Sequence, residues 1–137
     1  MKNFETGEKL IEEAQNYYLD LLQAYRRKSW NTVVRRAQEI VELSLKGLLK
    51  SMGVEYPKVH DVGWLFEKIV QEKSAIKVEQ EVARRIREIS ANLARERSPA
   101  FYMEKSYDKA QADEAKKQAE EVLNWTGKMK CALKKER

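Results

Sequence analysis

Residues 77–98 read KVEQEVARRIREISANLARERS, and this stretch decides the fold. Val78, Val82, Ile86, Ile89 and Leu93 recur at spacings of three and four, with charged residues between them. That period belongs to a helix with one face in a core and the other in water. It predicts a helix from about Lys77 to Ser98, ended by Pro99, which has no backbone N–H to continue the ladder.

The same period recurs on both sides of this segment. Upstream, a first helix is expected from about Thr6 to Arg27, with Leu10, Ala14, Tyr17, Tyr18, Leu21, Leu22 and Tyr25 on one stripe. A second runs from about Trp30 to Met52 and turns Val33, Val34, Ala37, Ile40, Val41, Ser44, Leu45 and Leu48 inward, with Gly53 as the residue past its end. Pro57 keeps the next stretch non-helical. A short third helix then starts at His60 or Asp61, either of which can cap it, and buries Val62, Leu65, Phe66 and Ile69. Downstream, Ala100 to Ser106 form a loop, and Asp108 with Gln111 forms a capping box. The last helix runs to about Lys130 with Ala112, Ala115, Ala119, Val122, Thr126 and Met129 inside, followed by a basic tail over 131–137. Strand-like alternation is missing. The expected fold class is all-α: one domain over 1–137, built as an antiparallel up-and-down four-helix bundle with one additional short helix.

Composition narrows the function classes. At 137 residues the chain fits one domain and needs no staple to build a core. One cysteine, Cys131, excludes an internal disulfide, and one Cys with one His, His60, leaves too few soft ligands for a zinc site within the chain. No metal and no cofactor are therefore expected. No window is apolar enough to span a membrane and no secretory leader is visible, so a cytoplasmic protein without membrane contact is expected. The net charge of +5 permits contact with polyanions, but basic charge alone confers no sequence specificity.

One residue breaks the stripe. Four residues beyond Leu93 stands Arg97, at the inward position near the bundle's end. A guanidinium there needs a carboxylate, a phosphate or solvent, or it snorkels to water from the helix C-terminus.

Three stretches together resemble the HEPN-domain family. They are Gln38 to Leu49 (QEIVELSLKGLL), the connection Gly53, Pro57, His60 and Asp61, and Leu93 to Tyr102 followed by Ala110 to Val122. The resemblance implies an up-and-down bundle with a short extra helix, usually as a homodimer. It further implies nucleotide or RNA binding, and either metal-independent ribonuclease activity or partnership with a small nucleotidyltransferase in a toxin–antitoxin pair. The nuclease members use an Arg, four to six arbitrary residues, then a His. Arg97 or Arg95 takes the place of that Arg. The His is missing: Ala100, Phe101 and Tyr102 stand at the positions counted from Arg95, and Tyr102, Met103 and Glu104 at those counted from Arg97. Histidine suits proton transfer near neutrality, whereas tyrosine is a poor base there. The expectation is a binding and assembly module with Arg95, Arg97 and Tyr102 around a phosphate. The alternative is a ribonuclease with an atypical site using Arg97 and Tyr102.

Glu42 and Lys46 form a favourable i,i+4 pair opposite Ala37 and Val41, which places them on a solvated face or in a dimer contact. His60 and Asp61 are expected to be structural, as caps.

Overall fold

The computed structural model describes residues 2–72 and 77–136. These residues form five helices and no strand: α1 Lys2–Arg26, α2 Trp30–Ser51, α3 Gly63–Glu72, α4 Gln80–Phe101 and α5 Lys109–Glu136. Helix α2 is the centre of the bundle. It packs along α1, α4 and α5, while α3 lies mainly on α4. The sequence explains this position, because α2 buries residues almost all round its girth, from Val33 and Val34 to Leu48 and Leu49. All eight core residues expected on α2 are buried, and so are all six on α5. Val82 and Val78, at the start of the α4 stripe, are only partly covered, while Ile86, Ile89 and Leu93 are buried.

The register of α1 differs from the sequence expectation. Phe4, Gly7, Ile11, Ala14, Leu21 and Ala24 form its buried face, and Leu10, Tyr17, Tyr18, Leu22 and Tyr25 flank it. A close helix crossing sets this rotation. A Cβ on Gly7 would stand 2.6 Å from the Gly47 carbonyl oxygen, and one on Gly47 would stand 2.6 Å from Cγ1 of Ile11. Only glycine permits that approach, so α1 turns Gly7 and Ile11 toward α2.

Three helices end in the same way. The residue after the cap takes a left-handed conformation in each: Lys28 (φ 61°), Gly53 (φ 74°) and Met103 (φ 58°). The next amide then bonds back to the helix, Ser29 to Ala24, Val54 to Leu49 and Glu104 to Pro99, at 2.9–3.0 Å. This is the Schellman arrangement. It corrects the end of α4. Pro99 lies inside the helix, which continues to Phe101 and stops at Met103. Pro99 forfeits one bond to the Arg95 carbonyl, but Tyr102 still donates to Ser98 at 3.0 Å and Ala100 is buried, so the last turn holds.

The other end signals agree with the residues that carry them. Asp108 and Gln111 cap α5 reciprocally, Gln111 N–H to Asp108 Oδ1 at 2.8 Å and Asp108 N–H to Gln111 Oε1 at 2.9 Å. Helix α5 runs past Lys130, and the stretch expected as a free tail is helical to Glu136. Leu133 is buried, and Lys130 and Lys134 pair with Glu8 of α1. One side chain bonds the connection between α4 and α5 three times. Asn31 at the start of α2 donates to the carbonyls of Ala100 (3.2 Å) and Lys105 (2.8 Å) and accepts from the Tyr107 N–H (3.1 Å).

Candidate functional site

The C-terminal turns of α4 set Arg97 over α2, where a ladder of polar residues waits at four-residue spacing: Gln38, Glu42 and Lys46. Arg97 Nη1 donates to Gln38 Oε1 at 2.7 Å and lies 3.7 Å from Glu39 Oε2. Gln38, only 2% exposed, passes the connection on through its amide nitrogen to Glu42 Oε1 at 2.9 Å. Lys46 donates to the other Glu42 oxygen at 2.8 Å. The third partner of this carboxylate comes from the connection between α2 and α3, where His60 Nδ1 lies 2.9 Å from Glu42 Oε1.

Burial opposes ionisation of Glu42, but the hydrogen bonds from Lys46, Gln38 and His60 outweigh it and hold the carboxyl below the usual range. The i,i+4 pair expected on a solvated face is therefore largely covered, with Glu42 15% and Lys46 14% exposed. The physical reason is the central place of α2: Tyr17 of α1, Arg97 of α4 and His60 in the chain leading into α3 all gather over Glu42. The capping role divides the same way. Asp61 caps α3 by accepting from the Gly63 N–H at 3.0 Å, and Ser90 of α4 donates to the same Asp61 oxygen at 2.7 Å. His60 does not cap; its ring turns to Glu42.

Arg97 and His60 border two adjoining recesses. One, of about 400 Å³, is lined by Arg35, His60, Arg97, Ser98, Phe101 and Tyr102. The other, of about 130 Å³, is closed by Tyr17, Glu39, Glu42 and Leu43. Arg35, Arg36, Arg97 and Lys46 stand here against Glu39 and Glu42, an excess of cations that suits an anion. The Arg35 guanidinium stacks 3.8 Å above the Phe101 ring, and Phe101 meets Tyr102 edge to face. Tyr102 is 69% exposed at the lip, and among the described residues no group accepts from its hydroxyl.

Arg95 does not join this site. Two residues apart on a helix means nearly opposite faces, and Arg95 donates to Asn92 beside a separate cleft of about 260 Å³ between α4 and α5. That cleft is internally paired: Tyr107 donates to the Glu96 carboxylate, and burial with that bond raises the Tyr107 hydroxyl above its ordinary range. Among the described residues no group of three or more His, Cys, Asp or Glu side chains is placed to hold a metal ion. No helix among them is long and apolar enough to cross a membrane.

The HEPN domain family model matches residues 7–130, nearly the whole chain. The chain belongs to the HEPN-domain family. Comparison with curated proteins and with solved structures found no match. Within this HEPN domain, sequence reasoning singled out Arg97, Tyr102, Glu42, Lys46 and His60 for separate reasons, and the fold brings all five to one network and its cleft. It missed Gln38, Glu39 and Arg35. The available signal was the polar ladder at 38, 42 and 46 on a helix otherwise apolar round most of its girth.

Proposed function

We propose that this HEPN domain binds a phosphate of a nucleotide or of RNA in the cleft at Arg97. It acts there as a cytoplasmic binding and assembly module, dimeric and paired with a small nucleotidyltransferase in a toxin–antitoxin type system. The observation that supports the reading is the state of Arg97. Among the described residues only one of its terminal nitrogens is engaged at hydrogen-bond distance, its side chain is 26% exposed, and it borders a cleft with a second arginine and two exposed aromatics. A guanidinium held on one side and open on the other is suited to bidentate phosphate contact, and Phe101 and Tyr102 offer faces for a base. The partner and the dimer are what the sequence resemblance implies, and two Arg97 clefts brought together would concentrate an anion more than one alone.

The test is titration of fluorescent ATP and of a short single-stranded RNA with the wild type and Arg97→Ala at low salt. Saturable binding that weakens at least about tenfold in the variant supports the reading, the loss of one charged contact being worth roughly 1.5–3 kcal/mol. Absence of binding at millimolar ligand would end it. Sedimentation at micromolar protein, and co-purification with the neighbouring gene product, test the dimer and the partner separately.

A further inference from the structure

Three guanidiniums converge on one carboxylate beside the cleft. Glu39 Oε1 accepts from Arg36 Nη1 at 2.7 Å, while Arg35 Nε and Arg97 Nη1 lie 3.8 Å and 3.7 Å from Oε2. The two longer contacts are attractions without a hydrogen bond. Each guanidinium has a second anchor: Arg35 lies on the Phe101 ring, Arg36 is 5.0 Å from the centre of the Tyr17 ring, and Arg97 is bonded to Gln38. The cluster therefore does not depend on Glu39 for its shape. Nor does Glu39 satisfy it. The Nε atoms of Arg35 and Arg36 are shielded from solvent and, among the described residues, donate to no acceptor at hydrogen-bond distance. Lys46 neutralises Glu42, so three guanidiniums against the one carboxylate of Glu39 leave two positive charges unmatched.

We propose that Arg35, Arg36 and Arg97 form a seat for a terminal phosphate group, a phosphate monoester, and that Glu39 is an internal anion competing for that seat. The inference rests on the phosphate-binding reading and narrows it. A terminal phosphate carries about −1.5 to −2 charge at neutral pH and three free oxygens. It therefore balances the unmatched charge and offers acceptors for donors that Glu39 leaves unmet. A phosphodiester inside a strand brings one negative charge and does neither as well. Arg35 and Arg97 line one recess, and the phosphate enters between them, where Oε2 attracts both and bonds to neither. Arg36 keeps its bond to Oε1. Glu39 thus sets a threshold. An anion seats itself only if it holds Arg35 and Arg97 better than the carboxylate already there, which turns away weakly charged ligands.

The experiment is isothermal titration of the full chain at low salt with adenosine 5′-monophosphate, with its methyl ester, and with a short DNA strand carrying or lacking a 5′-phosphate. The wild type is expected to bind the monophosphate at least about tenfold more tightly than the methyl ester, which lacks the second charge. Glu39→Gln is expected to bind the monophosphate at least about tenfold more tightly than the wild type, exposure of the cluster allowed for. Glu39→Ala serves as the second variant if Glu39→Gln loses its helical signal. Glu8→Gln changes the net charge equally beside Lys130 and Lys134, and should shift the affinity less than about twofold, being screened. Preference for the 5′-phosphorylated strand assigns the seat to a strand end, and binding of the monophosphate alone assigns it to a free nucleotide; either supports the inference. Equal binding of monophosphate and methyl ester overturns the ligand class. Tightening by Glu8→Gln as large as that by Glu39→Gln overturns the role of Glu39. Binding that Arg97→Ala weakens and both Glu39 variants leave unchanged overturns the competition and leaves the phosphate site standing. No binding by the wild type or by either Glu39 variant overturns both.

Discussion

Replacing Gln38 with leucine removes the one residue that ties Arg97 to Glu42 while keeping the volume close to constant. In the native structure the Gln38 amide makes two bonds to charged partners, at 2.7 Å and 2.9 Å, and its side chain is almost fully buried. A hydrogen bond to a charged group contributes about 1.5–3 kcal/mol, so the gross loss is roughly 3–6 kcal/mol. Two effects offset it. An apolar side chain avoids the desolvation of the amide, a gain of about 1–3 kcal/mol on mutational scales. Arg97 and Glu42 also keep other partners, Glu39 for the first and Lys46 with His60 for the second, and both retain some contact with water. The expected net destabilisation is about 2 kcal/mol. With a urea m-value of roughly 1–3 kcal/mol/M, the unfolding midpoint should fall by about 1 M. The assay is urea unfolding followed by helical circular dichroism, with wild type and Gln38→Leu at one protein concentration, since the proposed dimer would make stability concentration-dependent. The double variant with Arg97→Leu should lose less than the sum of the two single losses, because each single change strands a partner of the other. An unchanged midpoint, or strict additivity, would refute the idea that the network is held from within the protein.

Four further outcomes are expected. Gly47→Ala should destabilise by about 1–3 kcal/mol through overpacking against Ile11 and the Gly7 backbone, despite the helix propensity of alanine. Gly127→Ala, where a Cβ meets nothing within 4 Å, should stabilise by about 0.5–1 kcal/mol; thermal melts of the pair check both signs. Glu42 has its carboxyl held below the ordinary range, so its contribution is present above the unfolded value and is lost as pH falls through the folded one. Melts of the wild type should lose stability below about pH 4.5 more steeply than those of Glu42→Gln, and equal slopes would contradict the assignment. Tyr18 donates to the Glu120 carboxylate; burial and that bond push its hydroxyl up to about 12. Its stabilisation is complete below the ordinary tyrosine value near 10 and is lost as pH rises toward the folded one. A spectroscopic alkaline titration should show Tyr18→Phe removing a late-ionising phenol; loss of an early one would be the wrong result.

Much of this was legible in the sequence, and the misses share a cause. Periodicity found α2 and α5 because each carries a single unbroken set of apolar positions, and it found the reciprocal cap of α5 because Asp108 and Gln111 satisfy each other locally. On α1 the apolar residues fall in adjacent pairs, Leu10 with Ile11 and Leu21 with Leu22, so the period alone allows more than one rotation. The choice is made by the Gly7–Gly47 crossing, a contact between two helices. Pro99 signals a stop because its local cost is real, yet the helix ends where a left-handed residue and its back-bond end it. The site was half legible. Arg97 showed as a break in a stripe, and its aromatic neighbours followed from their place in the chain. The sequence places Glu42 on a solvated face or in a dimer contact and His60 as a cap, because a helical wheel knows one partner per helix. The centre of a bundle has several, and His60 reaches Glu42 only through the fold of the chain ahead of α3.

The Asn31 clamp gives the molecule a division of labour. It grips the backbone on both sides of the crest at residues 101–103, so the route of the chain there does not depend on which side chains the crest displays. Phe101, Tyr102 and Met103 all point outward. Their identities can drift while Arg97 and the residues beneath it stay fixed, which lets one scaffold keep the floor of the Arg97 cleft and change what stands at its lip. A library varied at Phe101 and Tyr102, with glycine or asparagine at position 103 to suit its left-handed backbone, is the natural place to engineer a new preference.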